Sequence, residues 1–319
     1  MNISKEEWKM VDKLKIDPEK VCGYIEKYIR NKVSELKRDG IIMGLSGGLD
    51  STVVAYLCTR SVGKEKVLGI YMPERDSNPI HRKDAEMVAK RLGIEFKIVD
   101  LTPILKEIGI YDLSPLKYLN YIPTRKIKGL ALKIGRYLKE KKIGKNLIIE
   151  SVLHTRDKFL ASGAAYARAK SRLRALMLYL WSELENKLVV GCANKTESMI
   201  GAYTKFGVDH LADVMPILDL YRSQVEQLAR YLKVPENILN KRADPDLIVG
   251  YNDKEKIFES FEILDLILLE LENGLTPTQI SKFYGIDKKK VDYISALVKN
   301  SRHMRESPYT PLIRELFEV

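Results

Sequence analysis

The chain has 319 residues, 45% of them hydrophobic and 30% charged, with a formal net charge of +11. It is long enough to bury one large core or two small ones. No stretch reaches the roughly 18 apolar residues of a membrane span, and the N-terminal MNISKEEWKM lacks the apolar region of a signal peptide. Three widely spaced cysteines, Cys22, Cys58 and Cys192, argue against a disulfide framework or a CxxC metal site and suit a reducing cytoplasm.

Asp17 to Lys37 has apolar residues at helical spacing (Val21, Ile25, Ile29, Val33, Leu36) and leads into an apolar run, Ile41 to Leu45. That run breaks into Ser46-Gly47-Gly48 and continues as Asp50-Ser51-Thr52 and VVAYLCTR, the pattern of a strand, a tight turn and a helix start. Val67 to Met72 reads as a buried strand, Pro79 to Arg91 as a helix, Phe96 to Leu101 as a strand and the segment near Pro103 as a short helix. This alternation predicts an α/β fold, a doubly wound and mostly parallel sheet with ligands at the carboxyl ends of its strands. It lapses from residue 111 to about 160, where basic helical pieces surround one apolar run, Leu147 to Leu153, with the composition of a strand. A long helix from Ala164 to Glu185 leads to a strand, Leu188 to Cys192, and to a helix start at Asn194-Lys195-Thr196-Glu197. Beyond Pro216 the chain reads as helical. Its segment LTPTQISKFYGIDKKKVDYISALV (275–298) has helix-turn-helix rhythm, but it trails an enzyme-like core, which favours packing helices over a DNA reader.

Charge is concentrated. Lys117 to Arg174 holds 16 Lys or Arg against 3 acidic residues, an excess larger than the net +11 of the whole chain. A polyanion such as nucleic acid or a nucleotide is one partner for such a stretch; a solvated helical face is the other reading.

The turn at Ser46–Ser51 carries the most chemistry. A glycine turn before a helix aims several backbone N–H groups at one point, which favours phosphate. Glycine lets an anion approach closely and lets the turn adopt positive φ. No lysine follows the glycines, so this is not the loop of ordinary nucleotide hydrolases. Asp50 inside a phosphate cradle makes sense when a divalent cation joins its carboxylate to the phosphates. The alternative is a plain βα turn with Ser and Asp as caps.

SGGxDS resembles the pyrophosphate loop of the ATP-pyrophosphatase superfamily. Further segments, in order, resemble its ammonia-dependent NAD synthetase branch: GIYMPERDSNP (69–79), RLRALMLY (172–179), VVGCANKTE (189–197), YTKFG (203–207), ADVMPILDLYRSQV (212–225), KRADPDL (241–247) and SRHMRESPYTP (301–311). The resemblance implies a single domain over 1–319 of the adenine nucleotide α-hydrolase-like (PP-loop) type, with a basic insertion at 111–162 and a helical C-terminal part at 254–306. It implies a ligase that activates a carboxylate as its acyl-adenylate, releases pyrophosphate and lets ammonia displace AMP, with deamido-NAD as the acid. By the same resemblance Ser46, Gly47, Gly48, Asp50 and Ser51 hold the phosphates of ATP, and Asp50 and Glu197 bind Mg²⁺. Lys205 and Arg222 supply positive charge near ATP, Asp50 and Lys205 being the catalytic pair. Arg75 lies on the adenine-side loop, and Arg172, Arg174 and Asp213 face the second substrate. A homodimer with the active site across its interface is also implied. Taken singly, some of these have plainer readings: Glu197 suits any first helical turn, Asp213 a cap, and Arg75 an ordinary surface position.

Four positions depart from the family pattern. Val208 stands where an acidic residue is usual, Asp244 where a phosphate-binding hydroxyl is, Arg168 where an Asn is, and Cys192 where a small hydroxyl residue is. All four leave the loop intact and fall around the second substrate, so a different carboxylic acid is the alternative to deamido-NAD. A sulfur transferase or RNA-modifying enzyme of the same superfamily, with Cys192 delivering sulfur, is a further alternative. A small residue ending a strand is the plainer role for that cysteine.

Overall fold

The computed structural model describes residues 12–114, 116–122, 127–131, 134, 157–208, 210–241, 260–306 and 308–311. The Leu147–Leu153 run, Asp244 and most of 111–162 lie outside the described residues. In chain order the elements are α1 (Pro18–Glu35), β1 (Gly40–Gly44), α2 (Leu49–Val62), β2 (Val67–Tyr71), α3 (Pro79–Leu92), β3 (Glu95–Ile98), α4 (Thr102–Glu107), α5 (Lys158–Glu185), β4 (Lys187–Val190), α6 (Lys195–Ile200), α7 (Arg222–Tyr231), α8 (Glu236–Leu239), α9 (Phe261–Glu272), α10 (Pro277–Tyr284), α11 (Lys288–Asn300) and α12 (Arg302–Arg305).

Local chemistry accounts for the boundaries. Asp17 caps α1 by accepting from Lys20 N, with Pro18 in the first turn; Asn78 and Pro79 repeat the device at α3, which stops at Gly93 in a left-handed conformation. β1 and β2 are apolar along their whole length and sit inside the sheet, whereas β3 is half-exposed at its edge.

The sheet is parallel, in the order β3-β2-β1-β4. Strand alternation divides the core between its two faces. Ile41, Met43, Leu188 and Val190 join α1, α2, α3 and α7 on one side. Ile42, Leu68, Ile70 and Val189 join Leu105 of α4 and Tyr166 and Leu178 of α5 on the other. The chain builds outward from β1 through β2 to β3, then returns to place β4 on the opposite flank of β1. That reversal makes the carboxyl ends of β1 and β4 the topological switch point, where doubly wound sheets bind their ligands.

The C-terminal helices form a third cluster. Ile280 of α10 and Val291, Ile294 and Leu297 of α11 are buried with Leu264, Leu266, Ile267 and Leu268 of α9. The helix-turn-helix rhythm is therefore a packing rhythm, turned by Gly285 at φ 64°. Among the described residues no helix is long and apolar enough to cross a membrane.

Candidate active site between strands β1 and β4

β1 ends at Gly44, and Ser46-Gly47-Gly48 turns the chain into α2. Gly47 has φ +74°, and a Cβ there would lie 2.4 Å from the His81 carbonyl oxygen. Its need for glycine is therefore met from beneath, by the close approach of α3, as much as by room for an anion above. Gly48 caps α2 without any side-chain hydrogen bond, so the amides of Leu49, Asp50 and Ser51, in the first turn, have no acceptor within the helix. The hydroxyls of Ser46 and Ser51 lie 3.0 Å apart, and Ser51 Oγ also accepts from Ser46 N at 3.3 Å and donates to the Gly48 carbonyl at 3.1 Å. Amides, hydroxyls and a helix N-terminus converge on one spot, an arrangement suited to phosphate.

The loop is braced from α3. Lys241 Nζ donates to the Gly47 carbonyl at 3.2 Å and to Asp84 at 2.6 Å, and lies 2.7 Å from His81 Nδ1. Asn237 donates to the other Asp84 oxygen at 3.1 Å. Nothing in the local sequence around Lys241 announces this role.

β4 supplies the facing wall. Asn194, fully buried, caps α6 by accepting from Glu197 N at 3.0 Å and donates through Nδ2 to Asp50 Oδ1 at 3.0 Å. One amide side chain thus joins the loop aspartate to the turn that carries Glu197. The Asn-x-x-Glu spacing is the local signal for the cap; its bond to Asp50 is not legible locally. Arg222, at the start of α7 and only 6% exposed, donates to Asp50 Oδ2 at 3.0 Å. Burial works against this cation, but the carboxylates of Asp50, Glu226 and Glu197 outweigh it and hold the guanidinium above its ordinary pKa. Burial also raises Glu226, against the pull of Arg222.

At the end of β2 the polar groups are closed on one another. Arg75 is not a free surface arginine: its guanidinium lies 3.8 Å from the Tyr111 ring centroid and pairs with Asp76 at 2.9 Å. Asp76 also accepts from Tyr166 at 2.7 Å and from Lys128 at 3.1 Å. Despite its burial, these donors hold the carboxyl well below its usual range. Behind them Glu74 accepts from Lys170 at 2.8 Å and from Tyr111 at 2.9 Å. Burial pulls the Lys170 ammonium down to about 8, with Glu74 opposing.

The remaining expected site residues are more dispersed. Lys205 donates to the His303 carbonyl at 2.7 Å and lies against the Phe206 and Tyr309 rings. Its turn is pinned to α5, because a Cβ on Gly207 would fall 2.3 Å from Ser171 Oγ. Phe206, beside it, takes φ +60°, an unusual conformation for a bulky side chain. Arg172 is exposed on α5 and donates to the Lys205 carbonyl at 3.4 Å, while Arg174 reaches the Met72 carbonyl beyond β2 at 3.3 Å. Asp213 is committed to the backbone: it accepts from Val189 N at 2.9 Å and from Tyr179 at 3.3 Å. Of the departures, Val208 packs against the α5-side core, Arg168 is lowered by burial and the neighbouring Arg172, and Cys192 Sγ lies 4.0 Å from the Gly44 carbonyl.

Known proteins match this arrangement across most of the chain. The NAD synthase family model matches residues 21–112 and 127–308, leaving residues 113–126 between them unmatched. An NH3-dependent NAD+ synthetase of Methanocaldococcus jannaschii is 37% identical, covering 92% of this chain and 97% of that one. The enzyme of the same description from Thermotoga maritima is 36% identical, over 89% and 96%. Among solved structures, an NH3-dependent NAD synthetase from Campylobacter jejuni has a TM-score of 0.64 at 24% identity, over 93% of this chain and 100% of that one. An NMN synthetase from Francisella tularensis has a TM-score of 0.66 at 23% identity, with the same coverage, so the two share the fold. An amide-lined turn facing a capped acidic helix start, within a sequence alike over most of its length, makes this chain a member of the NAD synthase family.

Proposed function

We infer that this chain catalyses the ATP-dependent amidation of deamido-NAD to NAD with ammonia, a ligase reaction that forms a C–N bond. The observation that carries the reading is the meeting of Asp50, Asn194 and Glu197 beside the Ser46–Ser51 turn, in a chain of the NAD synthase family. A carboxylate is a poor acyl donor to ammonia, so its oxygen first attacks the α-phosphorus of ATP, and the bond to the bridging oxygen breaks as pyrophosphate leaves. Ammonia then attacks the acyl carbon, the bond to AMP breaks, and the nitrogen loses a proton to solvent.

The amides of Leu49, Asp50 and Ser51 and the serine hydroxyls take the phosphates that depart, where fixed dipoles stabilise developing charge. Asp50 and Glu197 fit Mg²⁺, which favours hard oxygen donors and uses one or two carboxylates together with substrate phosphates. When bound, the ion offsets charge on the pyrophosphate. Arg222 orients Asp50. Lys205 exchanges the His303 carbonyl for a phosphate oxygen, and Arg75 with its Tyr111 stack borders the adenine. Arg172 and Arg174 attract the dinucleotide, while Asp213 shapes β4 rather than touching substrate.

The chain acts as a homodimer, and one face of α5 supports this: Leu176, Leu180 and Leu184, spaced four apart, are 64%, 49% and 68% exposed. Its free thiols suit a cytoplasmic setting. The test is release of NAD and pyrophosphate from purified protein with ATP, Mg²⁺, ammonium and deamido-NAD, with Asp50→Ala as control. NAD formed and lost in the control supports the reading. ATP bound with no NAD produced moves the same chemistry to another acid.

A further inference from the structure

α9 reads FEILDLILLELE, and Leu264, Leu266, Ile267 and Leu268 are all fully buried in the C-terminal cluster. Asp265 is equally buried, at 0% exposure. An ionised carboxylate in such surroundings is costly unless it is fully hydrogen-bonded, and a leucine would serve the packing better. What Asp265 does is reach out of its own cluster. Its Oδ1 accepts from Thr196 Oγ1 at 2.5 Å and its Oδ2 from Ser223 N at 2.7 Å. Thr196 Oγ1 in turn accepts from Arg222 N at 2.9 Å. A hydroxyl has a single proton, so the Thr196 oxygen can receive Arg222 N–H while its proton is committed to Asp265.

One carboxylate therefore ties together the first turns of α6 and α7. Thr196 precedes Glu197, and Ser223 follows Arg222. Glu272, seven residues along α9 and on the same face, repeats the grip by accepting from Tyr221 at 2.7 Å and from Lys195 at 2.9 Å. We propose that Asp265 is a positioning residue that, from the C-terminal helices, fixes the spacing between Glu197 and Arg222 and so the geometry in which Asp50 and Glu197 receive the metal-bound nucleotide. The proposal rests on the functional reading above for the identity of that ligand, but not for the clamp itself.

Asp265→Asn keeps the shape but leaves one of two donors facing an amide N–H₂. Thr196→Val removes the relay hydroxyl, and Thr196→Ser retains it. Three readouts apply: amide hydrogen exchange at residues 195–197 and 222–224 without ligand, calorimetric binding of Mg²⁺ with a non-hydrolysable ATP analogue, and steady-state NAD formation. Asp265→Asn and Thr196→Val are expected to speed exchange at 222–224 at least about tenfold and weaken metal–nucleotide binding about 10- to 100-fold, as loss of supporting partners does elsewhere. Thr196→Ser should restore both. The double variant should cost no more than the worse single one, because both act through one network. Unchanged nucleotide binding in folded variants, with only a lower Tm, would overturn the proposal. If Asp265→Asn does not fold, the Thr196→Val and Thr196→Ser pair decides alone. Wild-type protein that binds nucleotide without making NAD would sink the assigned acid while leaving the binding and exchange readouts to judge Asp265.

Discussion

The carboxyl ends of β2 and of the β1–β4 pair both gather charged groups, and they use them in opposite ways. At β2 each carboxylate has its own cation inside the protein: Glu74 has Lys170, and Asp76 has Arg75 and Lys128. Tyrosine hydroxyls fill remaining acceptor positions, and the result is a wall. Between β1 and β4 the carboxylates of Asp50, Glu197 and Glu226 converge on Arg222, beside a turn whose helix-start amides have no capping side chain. Internal pairing builds a rigid border, whereas an excess of hard oxygen donors beside free amides leaves work for a cation and its phosphates.

Breaking the wall should give the largest effect. Lys170→Met leaves Glu74 buried beside Tyr111 alone and should cost about 3–5 kcal/mol in denaturant unfolding, with much of it recovered in the Glu74→Gln/Lys170→Met pair. Asp50→Ala acts on the other region: kcat for NAD formation should fall about 10²–10³-fold, with a smaller loss of stability than in Lys170→Met because Glu226 and Glu197 still face Arg222. Were Lys170→Met to spare stability, or Asp50→Ala to unfold the protein, the division between the two regions would fail.

The third prediction sharpens it through pH. Burial pushes the Asp265 carboxyl up to about 6, with Glu262 adding to the rise and donors from Thr196 and Ser223 opposing it; the Tyr221 hydroxyl also faces it. A raised carboxyl means that the native state binds more protons than the unfolded one between about pH 4 and pH 6. Stability from this group therefore declines as pH rises through that window and is level above it. Relative to Asp265→Asn, the wild type should lose on the order of 2–3 kcal/mol across the window, read by unfolding at each pH. A flat difference would remove Asp265 from the titrating groups.

The smallest expected effect is at the brace. Lys241→Met takes the donor from one Asp84 oxygen and from the Gly47 carbonyl and should cost about 1–3 kcal/mol, with a higher KM for ATP and an unaltered KM for deamido-NAD. An equal rise in both would mean that the brace serves the whole site rather than the loop.

What the sequence by itself determined was local. The strand–turn–helix at Ser46–Ser51, the parallel alternation and the capped start at Asn194 depend on apolar spacing and on residues a few positions apart, which a linear pattern records. The packing role of 275–298 was legible too, because its apolar positions fit helices with a buried side. Tertiary structure decided the rest. Gly47 is held to glycine by a carbonyl of α3, Arg75 is folded onto Tyr111, Asp213 is taken by the backbone of β4, and Lys205 rests on the carbonyl of His303. Arg222 meets Asp50 across 172 residues of chain, and Asp265 meets Thr196 across 69. Such pairs follow from the order β3-β2-β1-β4 and from where α9 docks, both set by burial summed over the whole chain, so no short stretch of sequence carries them.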